Sequence, residues 1–397
     1  MLNITDNAVE QSIPPILRLG FRPLFLSAGI IAVLAMGLWL LTLTGVVAFK
    51  PVGGSLWWHG HEMIFAFACA VIVGFLLTAV TNWTGQPGVR GGKLLLLWSV
   101  WLTGRVLLWG NFDWIARPVV ALVDLAFLPV AAFLLAQPVL RVKQYRNLFF
   151  VPVLLLLAVC NGLTHLDGSL HHGGYAAVML VTLVMTVMGG RVIPFFTANG
   201  TQTMRRDKIV WLELVSLASV WLLALSFIFG LHLKPDFRLA LGLVFAVSGL
   251  ANLIRFSRWR LLSTLKVPLL WSLQLSYLFI PITLLLLAMH FLFQQMLLAT
   301  LIHGITVGAI GNMILAMMAR VSLGHTGRTL QVAKSIPSVV AGLLLAAVIR
   351  LAALVLPNEY YLWSVIVSGL LWIIAFGVFS LIYWPILTSP RADGRPG

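Results

Sequence analysis

The residues with the most chemical potential in this sequence are its nine histidines. His59 and His61 stand in WHGHEM, His165, His171 and His172 crowd with Asp167 into GLTHLDGSLHHGGY, and His303 opens HGITVGAIGN. Neutral imidazole is the commonest transition-metal ligand, and copper and iron both accept it. Taken singly, each histidine is more often a hydrogen-bonded core residue than a ligand. Their concentration points instead to metal, electron or proton chemistry, with His59, His61, His165, His171, His172 and His303 as the metal-ligating candidates. Residues two apart on a helix are rotated by about 200°, so of the first pair His61 is the better inward ligand. Glu62, three after His59, either orients that histidine or a metal-bound water, or is simply an acid favoured by a helix N-terminus. Cys69 and Cys160 both lie in apolar runs, so neither a disulfide framework nor a CxxC site is available. No CxxCH, P-loop, dinucleotide fingerprint or HExxH occurs, which leaves covalent c-type haem, nucleotide hydrolysis and zincin chemistry without support.

The elements that must position these residues are membrane spans. Of 397 residues 60% are hydrophobic and only 9% charged, and the mean hydropathy is +1.02, a composition that excludes an ordinary soluble enzyme. Apolar runs between Gly, Pro and charge clusters predict twelve transmembrane helices. They fall near 24–49, 61–80, 94–109, 114–135, 148–163, 175–195, 210–231, 239–254, 267–289, 296–319, 339–356 and 361–387. The expectation is an all-α polytopic protein with one transmembrane domain over 1–397, a tail at 1–23 and another at 388–397. The first 23 residues carry Asp6 and Glu10 and lack a basic n-region, so the first run reads as a span rather than a signal peptide. Most Lys and Arg fall in alternate short loops, which places both termini in the cytoplasm. The net charge of +15 is therefore topology and not a nucleic-acid footprint. Eight of the nine histidines fall on the opposite, outer side, seven of them at span ends and His303 in the outer half of its span; only His325 is cytoplasmic.

The second, sixth and tenth spans align with one another. Each opens in His-Gly and closes in Thr, Asn or Gly, and His59 to Thr84 equals His172 to Thr197 in length. Pro23, Pro152 and Pro268 mark the starts of the first, fifth and ninth spans, where a first-turn proline costs no helical bond. The pattern suggests three pseudo-repeats of four helices. On the tenth span Thr300, Gly304, Gly308 and Asn312 form a small polar stripe that admits a neighbouring helix or a flat cofactor. Met313, Met317 and Met318 continue it as packing. Arg105, with Arg117 and Arg350, could bind carboxylates such as haem propionates, or pair with Asp113 or Asp124.

The strings GFRPLFL, WHGHEMIFAF, GFLLTAVTNWTG, WLTGR, GGRVIPFFT and HGITVGAIGNMILAMMARVSLGHTGR, spread from Gly20 to Arg328, together resemble the NnrS family of bacterial membrane proteins. The one departure is Ala66, where a glycine is expected. The resemblance implies a protein containing haem b and copper, linked to denitrification and to tolerance of nitric oxide and nitrosative stress. It implies cofactor-binding roles for His61, His303 and Arg105. If the protein is catalytic, it is a metal-dependent oxidoreductase acting on nitric oxide. The four-helix period is also similar to the catalytic subunit of haem-copper oxidases and nitric oxide reductases, but the tenth span here carries one histidine rather than a pair. The alternatives are a twelve-helix secondary transporter, against which the period of four and the missing central loop argue, and a non-catalytic membrane partner of a nitric oxide reductase.

Overall fold

Hydrocarbon offers backbone amides no water, so a spanning segment must satisfy its own N–H and C=O groups, and a run of apolar residues does so as a helix. The computed structural model, which describes residues 10–294, 296–395 and 397, contains helices and no strand among the described residues. Twelve helices are long and apolar enough to cross a membrane. They are α1 (Phe21–Leu43), α2 (Ser55–Thr84), α3 (Gly91–Gly110), α4 (Arg117–Arg141), α5 (Tyr145–Asp167) and α6 (Gly173–Thr201), then α7 (Val210–Ile228), α8 (Pro235–Ser257), α9 (Pro268–Phe293), α10 (Leu298–His325), α11 (Ser335–Ala352) and α12 (Asn358–Thr388). Each coincides with one predicted span.

The differences lie at the ends and have local causes. Helix α1 stops at Leu43 because Gly45 takes a φ of +75°, where the apolar pattern alone runs on to Phe49. Helix α2 begins at Ser55, after Gly53 and Gly54 at φ of +74° and +80°, so His59 and His61 both belong to it. Helix α5 continues to Asp167 and ends at Gly168 in the left-handed region. His165 is therefore a helical residue, not part of the outer loop in which the sequence places it.

The chain divides into two compact units. One comprises α1 to α5 with residues 318–331 and 376–397; the other comprises residues 171–317 and 332–375. In the first unit α1 and α2 cross at glycines. A side chain at Gly74 would come within 3.1 Å of Leu24 Cβ, and one at Gly20 within 3.0 Å of Leu77 Cβ. The first turn of α1 is fixed by Phe21 N–H donating to Thr78 Oγ1 at 3.0 Å. The fully buried Arg22 donates to the Leu387, Ser389 and Gly397 carbonyls, occupying groups in the last turn of α12 and beyond its end. In the second unit Gly304 and Gly308 of α10 pack against Thr283 and Phe279 of α9. At these two glycines the small stripe serves helix packing rather than a flat cofactor.

Helices α2, α6 and α10 are the most buried, with 78%, 83% and 83% of their apolar window buried against 56% or less for the others. Two of them are interrupted. The α-helix gives way to π-helix over Glu62–Ala68 directly after His61, and over Gly304–Gly311 directly after His303. Such segments re-register the backbone ladder and concentrate at functional sites. Each is braced by a side-chain N–H: the Trp101 indole Nε1 donates to the Ala66 carbonyl at 3.1 Å, and Asn312 Nδ2 to the Val307 carbonyl at 3.0 Å. Helix α6 is α-helical throughout.

Candidate metal centre

Four helices of the first unit bring six polar residues together inside an otherwise apolar interior. Helix α2 contributes His61 and Glu62, α3 contributes Arg105, α4 contributes Asp124, and α5 contributes Asn161 and His165. All are buried except His165, whose side chain is 12% exposed. Asp124 Oδ2 is the hub. It lies 3.1 Å from His61 Nε2 and 3.1 Å from His165 Nε2, and accepts from Asn161 Nδ2 at 2.7 Å. Its other oxygen accepts from Arg105 Nη2. Glu62 faces the far side of the same ring, with Oε1 at 3.2 Å from His61 Nδ1. Its second oxygen accepts from Trp109 Nε1 at 2.8 Å and stands 3.4 Å from Arg105 Nε.

The local sequence explains the convergence. Asn161 and His165 are four apart on α5 and share one face. Gly104 sits where a side chain would lie 3.3 Å from Asp124 Cα, so α3 and α4 approach closely and Arg105 reaches the carboxylate over a short span. Trp57, one turn before His61, stacks on that imidazole at 4.6 Å, meets His165 edge-on at 5.2 Å and donates to the Thr164 carbonyl. It orients both rings at once.

His61 meets only oxygens, those of Glu62, Asp124 and Asn161, so each of its ring nitrogens has a hydrogen-bond partner. Arg105 lies against both Glu62 and Asp124, so the buried carboxylates have a cationic partner, which is what burial in low dielectric demands. The same donor set suits a metal ion. Ligand atoms of His61, Asp124 and His165 all lie within 4.8 Å of one another. Two ligands about 2.1 Å from a divalent ion at 90–110° are roughly 3.0–3.4 Å apart, which matches the two 3.1 Å separations at Asp124. Two imidazoles and a carboxylate form a set that copper, iron or zinc accepts, with Glu62 and Asn161 as outer partners that fix ring orientation. A porphyrin does not fit here, because His61 is enclosed by Trp57, by Phe65 at 5.1 Å and by the carboxylates.

Of the residues singled out in the sequence, His61, Glu62, Arg105 and His165 thus meet at one centre. Arg105 finds Asp124, the carboxylate alternative to a propionate. His59 is half-buried two residues earlier on α2, on another face of the helix, and stacks on Trp39 at 4.6 Å. The remaining three belong to the second unit. His171 stacks on Tyr175 and its carbonyl accepts from His232 Nε2, while His172 Nε2 donates to the Ile228 carbonyl at 2.8 Å. His303 Nδ1 donates to the Ala299 carbonyl at 2.6 Å. That bond fixes its tautomer and leaves the lone pair on Nε2, the form in which histidine ligates iron. The sequence reading did not identify Asp124 as a ligand, nor Asn161 and Trp57 at all. Asp124 was findable as the one carboxylate inside the apolar run 114–135.

The twelve apolar helices make this a multi-pass protein of the lipid bilayer. A comparison with curated proteins finds no match. The family described as NnrS protein matches residues 15–391, nearly the whole chain, so this protein belongs to the NnrS family, a membership that carries a nitric-oxide-related role.

Proposed function

We propose that the protein is a metal-dependent inner-membrane handler of nitric oxide or nitrosyl species, contributing to denitrification and to nitrosative-stress tolerance, with both termini in the cytoplasm. The observation that carries this reading is the buried His61–Asp124–His165 triad, whose donor atoms are spaced for one ion and held by Glu62, Asn161, Arg105 and Trp57. His61, Asp124 and His165 would hold copper, and His303, with its Nε2 lone pair, is the candidate ligand for haem b. His59, His171 and His172 remain candidate ligands outside the triad.

A d-metal at such a centre supplies a site of back-donation for a diatomic ligand and a one-electron couple. The chain's own residues do the rest. Nitric oxide is small and neutral and partitions into hydrocarbon, so a centre buried among spanning helices receives it without an aqueous channel. Asp124 and Glu62 keep the imidazoles oriented, Trp57 excludes water from the His61 face, and Arg105 balances the carboxylate charge.

The test is metal analysis with a reduced-minus-oxidised visible spectrum on detergent-purified protein, before and after nitric oxide. About one copper and one haem per chain with a nitric-oxide-induced shift are expected, and His165→Gln should lose the copper while keeping the haem band. Full copper retention in both His165→Gln and Asp124→Asn would overturn the assignment. A colourless, metal-free protein would bring the transporter reading forward.

A further inference from the structure

The second unit carries a feature unrelated to the histidines. At the junction of α6, α7 and α8 lies an open cleft. Six cations line it, namely Arg205, Arg206, Lys208, Arg255, Arg258 and Arg260, against two carboxylates, Asp207 and Glu213. One carboxylate is already committed: Arg255, buried at the floor, grips Glu213 with Nε at 2.8 Å and Nη2 at 2.5 Å. Arg255 also donates to the Thr186 carbonyl and Tyr277 Oη and lies over Trp259. Partial burial, with Arg255, Arg205 and Arg191 nearby and only Glu213 opposing, holds the Lys208 ammonium below its usual value. The cleft is thus a concave site with a surplus of positive charge.

Short basic loops are ordinary in membrane proteins and by themselves record topology. Here, however, the cations converge on one cleft, and its rim continues into membrane. Ile209 and Leu212 line the cleft, and their neighbours Val210, Trp211 and Leu214 on the first turns of α7 are 80%, 60% and 66% exposed. In a spanning helix such apolar side chains face acyl chains, and a tryptophan at a helix end marks the headgroup level. Basic pockets between helices at that level hold phosphate-bearing headgroups, and arginine forks match phosphate oxygens bidentately.

We propose that this cleft is a binding site for the headgroup of an anionic phospholipid, whose acyl chains lie along the Val210, Trp211 and Leu214 face of α7.

The test is native mass spectrometry of the purified full chain with added phosphatidylglycerol or phosphatidylcholine. The variant is Arg205→Gln with Arg206→Gln and Lys208→Gln, all exposed positions. The control removes the same charge from another exposed basic loop, as Arg141→Gln with Lys143→Gln and Arg146→Gln. Wild type and control should retain phosphatidylglycerol in preference to phosphatidylcholine, and the first triple should bind it roughly ten- to a hundred-fold more weakly, given the attraction of each basic group to an anionic surface. Equal loss in both triples, or equal retention of the two lipids by wild type, overturns the site. Saturable binding of inorganic phosphate that the first triple abolishes, with no lipid retained, overturns the lipid in favour of a soluble phosphate ligand.

Discussion

His61 Nε2 and Asp124 Oδ2 stand 3.1 Å apart across α2 and α4, with Arg105 on the carboxylate's other oxygen. Breaking a buried ion pair by removing one member leaves the other charge uncompensated and costs about 3–5 kcal/mol. Asp124→Asn and Arg105→Gln should each destabilise by that order, read as a lower midpoint of thermal or denaturant unfolding. Both changes together should cost less than their sum, with a coupling of roughly 0.5–3 kcal/mol. Strict additivity would mean that the two groups do not share one network.

His303 makes a separable prediction. Its Nδ1 bonds the Ala299 carbonyl, which makes Nε2 the candidate ligand atom, and its side chain is only half-buried, so replacing it should leave the fold intact. His303→Ala should lose the Soret band while keeping copper, whereas His165→Gln should do the reverse. A variant retaining both the full band and its nitric oxide shift would assign haem to another histidine.

Much of this architecture was legible in the residues. Twenty-residue apolar runs announce spans directly, and the match of α2, α6 and α10, the helices aligned by their His-Gly starts, to the three most buried helices shows that polar groups inside a membrane mark interior helices. What periodicity could not show was the π-helix after His61 and after His303, because a 3.6-residue pattern is blind to a local change of pitch. His165 was read as a loop residue since THLD lacks apolar character, and yet four residues from Asn161 it completes one face of α5. Asp124 was seen only as a partner for arginine. Its place as the hub depends on contacts between α2, α4 and α5 that no single segment encodes.

The glycines of GGRVIPFF have a spatial reason. A Cβ at Gly190 would overlap the Arg255 guanidinium, and one at Gly189 would fall within 2.8 Å of the Tyr277 ring. Gly190→Ala should push Arg255 off Glu213 and Thr186 and cost roughly 1–3 kcal/mol, the usual range for overpacking. Nothing lies within 4 Å of a Cβ at Gly92, so Gly92→Ala should stay within about 0.5 kcal/mol of wild type. Equal unfolding midpoints for the two variants would contradict the packing seen around Arg255.

A pH-dependent clamp closes the first unit. Arg391 grips Asp393 with Nε at 2.9 Å and Nη2 at 2.6 Å while donating to the His325 carbonyl, and Ala392 N–H donates to the Thr326 carbonyl. Gly327, at φ of +73°, lies directly under the Asp393 carboxylate, which gives the GHTGR string a steric role. The Arg391 hydrogen bonds lower the Asp393 carboxyl from 3.8 to about 2. Because the folded-state value is the lower one, the carboxylate's contribution is complete above 3.8 and is lost as pH falls to about 2. A nitroxide attached at Ala392→Cys should therefore show restricted motion at neutral pH and gain mobility only as pH drops through that window. Adding Asp393→Asn should make the label mobile at neutral pH and insensitive to acid. A label equally restricted in both proteins across the whole range would show that this ion pair does not hold the segment in place.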